Sequence, residues 1–329
     1  MIPRGLMVLT SFFVCLLFFP VTASGAQAEY PPPWPASDLT FTVPFNQGSE
    51  TDALFSLIKE SITPKTGKKI TARHVPGKAG GIAWARMVDD APDGSTLTAV
   101  LLPDAYLRIL QTDSGIDLDA MALCHIVAYM PATLWVATSS PITSTDEIAN
   151  AATDAKGNFM VAGPGSYSAG QLAARALDRT LGVRTLYVPY TGTFTAAKAV
   201  LDKQAEMFWG YSVRVALPGV ESATFRPLAV AAAERVPALP ETPTFNELGL
   251  DIDEGVYIGI AVPAQTPDIT QEEISEYFSA LAGEASFQTR IAALGFTPRN
   301  IGKSKVASFL AEMKRAADEK AENFSLRDQ

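Results

Sequence analysis

Cysteine and histidine are scarce in this chain, with two of each among 329 residues. Cys15 lies inside an apolar N-terminal run, so a chain processed after that run keeps only Cys124 and can form no internal disulfide. Cys124 sits in the apolar stretch ALCHIVA and reads as a buried, inert thiol. His74 and His125, with one remaining cysteine, make no metal-ligand cluster, and no metal or other cofactor is expected. Basic residues are also in deficit. Lys and Arg number 26 against 35 Asp and Glu, a formal charge of −9, which gives no electrostatic reason to bind nucleic acid. Long apolar runs are limited to Leu6 through Phe19, shorter than the ~20 residues of a spanning helix.

That run follows the lone positive charge of Arg4 and precedes Pro20 and the small-x-small site Ala26-Gln27-Ala28. It reads as a secretory leader cleaved near Ala28. A mature chain beginning near Glu29 would be a periplasmic protein long enough for two domains of ~150 residues.

The chain is organised around Leu39 to Ile58, LTFTVPFNQGSETDALFSLI. Leu39, Phe41 and Val43 alternate with Thr40 and Thr42, the period of a strand, and Pro44 ends it. Asn46 to Ser49 form a polar loop, and Ser49 with Asp52 predicts a helix start with an apolar face of Ala53, Leu54, Leu57 and Ile58. A helix N-terminus placed this way offers unpaired N–H groups and a positive dipole end to a carboxylate or phosphate. The same feature is also an ordinary βα turn. Recurrence strengthens the binding reading. Asn46 to Thr51, Pro76 to Gly81, Gly163 to Gly170 and Tyr190 to Thr193 each follow a predicted strand, are rich in Gly, Ser or Thr, and lead into a predicted helix. In open α/β sheets, ligands sit on such loops beyond the carboxyl ends of the strands.

The rest of the chain keeps this β-loop-α rhythm. Strands are predicted at Thr96 to Leu102, within Met121 to Ala137, and at Asn158 to Ala162, Val183 to Val188, Glu206 to Gly210, Phe225 to Ala231 and Val256 to Val262. Ser144 with Glu147, Thr244 with Glu247, and Thr270 with Glu273 read as capping boxes. Ser304 to about Asn323 is an amphipathic helix packed on the body.

Enzyme chemistry finds little support. Ser166-Tyr167-Ser168-Ala169-Gly170 approaches a nucleophile elbow, but Ser166 replaces its first Gly, and both histidines precede Ser168. A secreted hydrolase is therefore disfavoured. Gly163-Pro164-Gly165-Ser166 lacks the third Gly of a dinucleotide loop, and no acid follows at Tyr187 to Tyr190. A binding protein is favoured.

The ordered motifs resemble one family. VPFNQGSETDALFSLI resembles the VPFxxGGxxD opening of the tricarboxylate-transporter receptors, or Bug family. HVPGKAGGIAWARMVDDAPDGSTLTAV, LYVPYTGT, RPLAVAAAERVPALPETPTFNELGL and IGIAVPAQTP resemble its later segments, in order, over nearly all of the mature chain. The resemblance implies an α/β, two-lobed periplasmic-binding-protein fold of the Venus-flytrap, type 2-like kind, each lobe a mixed sheet flanked by helices. It implies one lobe at 29–128 with 232–329 and the other at 129–231. It further implies a monomeric receptor that holds a small organic acid between the lobes and passes it to membrane transporter subunits. The alternative is a co-receptor presenting its ligand to a sensor kinase.

Carried over by position, the family's ligand loops fall on Gln47, Gly48, Ser49, Thr51 and Asp52, on Gly80 and Gly81, on Gly165, Ser166 and Ser168, and on Tyr190 and Gly192. The chain departs from the family pattern at Glu50, where a small residue is usual, and at Thr191, where a Lys is usual. Trp209 and Tyr211 stand where smaller or acidic residues are common, and both are taken as ligand-facing. These departures suggest a ligand less anionic, or more aromatic, than citrate.

Overall fold

A computed structural model describes residues 34–109, 115–211 and 224–324. The expected leader, its cleavage site, Cys15 and Ser212 lie outside them.

Strand β1 (Leu39–Val43) lies between two parallel neighbours, β2 (Ile70–His74) and β3 (Thr96–Leu102). Its alternation suggests one dry face, but helices cover both faces of a parallel sheet. Thr42 is accordingly buried, and its hydroxyl accepts from Arg73 Nη2 at 2.7 Å and Nε at 3.1 Å. Helix α1 (Glu50–Thr66) packs Leu54, Ile58 and Ile62 onto this sheet, each fully buried. Removing one such side chain from water is worth about 2 kcal/mol. Pro64 lies inside α1 rather than ending it, and Gly67 closes the helix in the left-handed conformation at φ +68°.

The 17-residue strand β4 (Met121–Ala137) joins the two halves of the molecule. Its first part, through Pro131, pairs antiparallel with β9 (Gly255–Pro263) and on the other side with β10 (Thr297–Gly302). Its last residues, Ala132 to Ala137, pair with β7 (Met207–Gly210) and β8 (Phe225–Ala231) instead. Beyond β7 lies β5 (Met160–Gly163), parallel to it, and beyond β5 lies β6 (Leu186–Pro189), parallel in turn to β5. One strand thus serves two mixed sheets that share helices on their flanks, a mixed α/β fold.

The second sheet has its own core. Trp135 stacks on Phe208 with ring centroids 6.2 Å apart, and Phe225 meets Phe208 edge-on at 5.2 Å. The chain after β8 stays on this sheet. Phe245 N–H donates to Val230 O, Val230 N–H donates to Pro243 O, each at 3.0 Å, and the Phe245 ring lies 5.5 Å from Trp209. The return to the first sheet comes at Glu254, whose carbonyl accepts from Ala132 N–H at 2.8 Å.

The caps agree in part with expectation. Thr244 and Glu247 form the reciprocal pair, with Thr244 N–H on the carboxylate at 2.7 Å and Glu247 N–H on the hydroxyl at 3.1 Å. Thr270, expected to begin a helix, lies two residues inside α7 (Asp268–Gly283), because Pro267 supplies the preceding turn. Glu147 accepts its well-formed hydrogen bond from Thr143 N–H, one residue before the expected cap Ser144. Helix α8 (Ala285–Ala293) and β10 have no counterpart in the sequence reading. The last helix, α9 (Lys303–Asn323), places Ala317 and Ala321 against Leu107 and Leu172, so it touches both halves. No helix among the described residues is long and apolar enough to cross a membrane.

Candidate functional site

The site begins with the turn after β1. Gly48 takes φ +83°, a left-handed conformation open to glycine at no steric cost. Its N–H donates to Asp52 Oδ2 at 2.9 Å, and Ser49 Oγ accepts from Asp52 N–H at 3.3 Å. Asp52 is held in turn by His74, whose Nε2 lies 2.7 Å from Oδ1. Asp52 therefore braces the turn from behind. The turn and the first residues of α1, Gln47 through Thr51, line a cavity of about 310 Å³.

A second helix start faces the same cavity from the other sheet. Helix α6 (Thr193–Leu201) follows Gly192, which gives it no side-chain cap. Gly192, Thr193, Phe194 and Thr195 all line the cavity. Thr193 is 2% exposed, and its hydroxyl has no hydrogen-bond partner. Two helix dipoles with their positive ends on one space favour a negative group there, each by about 0.3–1 kcal/mol. Between them the walls are apolar, from Phe45, Leu101, Met130 and Pro164.

Of the residues expected at the site, Gln47, Gly48, Ser49, Thr51, Gly192 and Tyr211 line this cavity. The others stand nearby with other partners. Gly80 lies under the Trp84 ring, where an added Cβ would come within 2.7 Å of it, and Gly81 opens the short helix α2 (Gly81–Arg86). Trp209 is fully buried against Phe245. Tyr190 donates its N–H to Gly163 O at 2.8 Å. Ser168 is fully buried as the N-cap of helix α5 (Ala169–Leu181), with its hydroxyl donating to Gly165 O at 2.8 Å. Ser166, next in the chain to Gly165, is partly exposed.

The loop from Gly163 to Gly170 does meet an anion, and that anion is the protein's own. Asp104, at the start of helix α3 (Asp104–Ile109) after β3, accepts from Ala169 N–H at 2.9 Å. Tyr211 hydroxyl accepts from Gly170 N–H at 2.8 Å and lies 3.4 Å from Asp104 Oδ2. Asp104 is 2% exposed, and burial lifts its carboxyl to about 6, against the opposing pull of Arg108 and these donors. Arg108 is 3% exposed and depressed by burial, with Asp104 opposing. Arg108 Nη2 lies 3.1 Å from where a Cβ on Gly165 would fall, so that glycine lets the two halves approach. Tyr187 hydroxyl donates to Gly165 O at 2.9 Å from below.

Glu50 lines the cavity at the first position of α1. The residue is partly exposed at its outer edge, but its Oε1 is sealed from water and has no hydrogen-bond partner. Burial raises its carboxyl. The nearby Thr193 hydroxyl and its own N–H pull the other way, though the Thr193 contact falls short of a well-formed hydrogen bond.

Asp104, Arg108, Phe45, Phe194 and Thr195 are absent from the sequence reading of the site, and Thr193 enters it only as the end of the Tyr190 to Thr193 loop. Asp104 and Arg108 had a signal, an acid and a base four apart directly after a strand and Pro103. Among the described residues no group of His, Cys, Asp and Glu could hold a metal ion.

The model of a family described as "Tripartite tricarboxylate transporter family receptor" matches residues 54–322. A UPF0065 protein of Bordetella bronchiseptica is 24% identical over 305 residues, covering 91% of this chain and 88% of that protein. Two solved structures from Rhodopseudomonas palustris share the fold. One, with adipate, has a TM-score of 0.81 at 23% identity and covers 89% of this chain and 99% of its own. The other, MatC with bound malate, has a TM-score of 0.74 at 24% identity and covers 90% and 100%.

Proposed function

The chain belongs to the tripartite tricarboxylate transporter receptor family, and from that premise we propose that it captures a small organic acid between its two halves and delivers it to a transporter of that type. The observation that carries this reading is the pair of helix N-termini, α1 and α6, from opposite sheets, on one cavity of about 310 Å³. A carboxylate at the uncapped start of α6 would be bound by backbone N–H groups and that helix dipole. The two fold relatives are described with malate and adipate, both small carboxylates. Transport implies export, so the apolar N-terminal run serves as a leader and the mature protein works in the periplasm.

No covalent step is assigned. Ser168, the only nucleophile the sequence offered, is a buried cap whose hydroxyl is committed to Gly165 O. Binding instead closes the halves about the β4 and Glu254 crossings. We take one lobe as 34–109 and 115–131 with 255–324, and the other as 132–211 with 224–254. The segment 232–253 is assigned to the second lobe because its hydrogen bonds and Phe245 contacts are made there. The ligand selects the closed state through contacts made only when both helix starts engage it.

A thermal-shift screen of the protein against mono-, di- and tricarboxylates tests the proposal. A ligand at 100 times its dissociation constant stabilises by about 2.7 kcal/mol, and the melt rises accordingly. No shift with any carboxylate, on protein shown free of co-purified ligand by mass spectrometry, overturns it.

A further inference from the structure

Glu50 is out of place in a receptor for simple carboxylates. It stands at the first residue of α1, so its carboxylate already occupies the positive end of that dipole. Its Oε1 is cut off from water without a hydrogen bond, a costly state for a charged oxygen. Thr193, the neighbour best placed to help, is itself buried and unpartnered on the same cavity. The second acid on the wall, Asp104, has Arg108 four residues on and the Ala169 amide to balance it. Among the described residues no cation acts on Glu50, and no Lys, Arg or His lines the cavity. A plain dicarboxylate would thus bring two negative charges to a space where no described lining residue gives the buried acid a counter-charge.

We propose that the cavity takes a carboxylate that also carries an ammonium group, with Glu50 as the residue that recognises the ammonium. The ligand carboxylate sits at the start of α6, where Gly192 leaves the N–H groups without a side-chain cap. The ammonium sits at Glu50 Oε1, within reach of the Thr193 hydroxyl. The carbon chain lies on Phe45, Leu101, Met130 and Phe194. The bound zwitterion satisfies both unpartnered groups at once, and the neutral sum of its inner charges suits an apolar wall. This inference rests on the carboxylate-receptor reading above and adds the second charge.

Matched pairs that differ only by the amine separate the two. Succinate and aspartate, adipate and 2-aminoadipate, and 3-phenylpropanoate and phenylalanine are titrated calorimetrically against the wild-type protein and Glu50→Gln. The expected result is that the best pair favours its amino member by at least about tenfold in wild type. Glu50→Gln then loses at least about tenfold on that member and holds or gains on its partner lacking the amine. If the partner without the amine binds tighter to wild type, the ammonium assignment falls while the carboxylate receptor stands. The same holds if Glu50→Gln keeps the amino preference. If no member of any pair binds, both readings fall together.

Discussion

The Asp104 carboxylate accepts a 2.9 Å hydrogen bond from the Ala169 amide, so an acid of the first half fills the helix N-terminus of the second. Burial lifts Asp104 to about 6 from an ordinary value of 3.8. A raised acid keeps its proton in the native state over a range where the unfolded chain has lost it. Its contribution to stability is therefore greatest below pH 3.8 and declines as pH rises to about 6. Two pH units of such a shift amount to about 3 kcal/mol. Urea unfolding from pH 4 to 7 of wild type and Asp104→Asn measures it. The Asn variant, which keeps an oxygen for the Ala169 amide, is expected to lack that decline, so its stability relative to wild type rises as pH climbs from 4 to about 6. Parallel curves for the two proteins would show that Asp104 is solvated in solution.

His125 titrates with the opposite sign. It is fully buried, stacked on Phe278 with centroids 6.3 Å apart, and burial depresses it from 6.5 to about 4. A depressed base must charge in the unfolded chain first. Its contribution is complete above pH 6.5 and is lost as pH falls to about 4. The loss is about 3 kcal/mol, and it works against the gain from Asp104 over the same range. His125→Leu keeps the volume and removes the titration, so its stability relative to wild type is expected to rise as pH falls from 6.5 toward 4. A difference between the two proteins that stays constant over that range would assign the effect elsewhere.

The strands and their flanking helices are legible because each carries its own punctuation. Thr96–Leu102 and Phe225–Ala231 match the sequence reading residue for residue, bounded by Gly94 and Pro103 in one case and set off by a polar lead in the other. β10, with its sequence TPRNIG, escapes a sequence reading because it has no apolar alternation; among the described residues it pairs with β4 alone. The cavity is half legible. Loop chemistry points to Gln47 through Thr51 and to Gly192, which converge from distant parts of the chain. Asp104 escapes because its partner, the Ala169 amide, lies 65 residues away at the start of α5 in the other half. Glu50 stands out in the sequence as a departure, but only the fold fixes that it faces the cavity beside Thr193.

Two glycines of the expected site make opposite predictions. Gly165 takes φ +96°, and an added Cβ would fall 2.9 Å from Ala79 Cβ and 3.1 Å from Arg108 Nη2. Gly165→Ala combines left-handed strain with a clash between the halves, and about 1–3 kcal/mol of stability is expected to go. Gly192 has an extended backbone at φ 170°, and a Cβ added there would meet nothing within 4 Å. Gly192→Ala is expected to melt within about 0.5 kcal/mol of wild type. Differential scanning calorimetry of both compares them directly. Equal melting points would mean that the halves do not approach at Gly165 as closely as the structure has them.

Aromatic residues on the second sheet divide in the same way, and a pair of variants tells fold from cleft. Trp209 is fully buried on Phe245, with ring centroids 5.5 Å apart, so Trp209→Ala opens a large void and is expected to cost about 3–5 kcal/mol. Phe194, at the second position of α6, is 70% exposed and lines the cavity mouth. With so little of its ring buried, Phe194→Ala is expected to leave stability within about 0.5 kcal/mol. Its effect belongs to the closed, liganded state, where the mouth narrows and the ring loses water against the ligand's carbon chain. Burying even half of such a ring on closure is worth about 1–2 kcal/mol, or roughly tenfold in affinity. Chemical denaturation and calorimetric titration of both variants read the two quantities separately. A Phe194→Ala protein that binds as tightly as wild type would mean that the ring stays in solvent when the halves close, and that the apolar wall ends at Phe45, Leu101 and Met130.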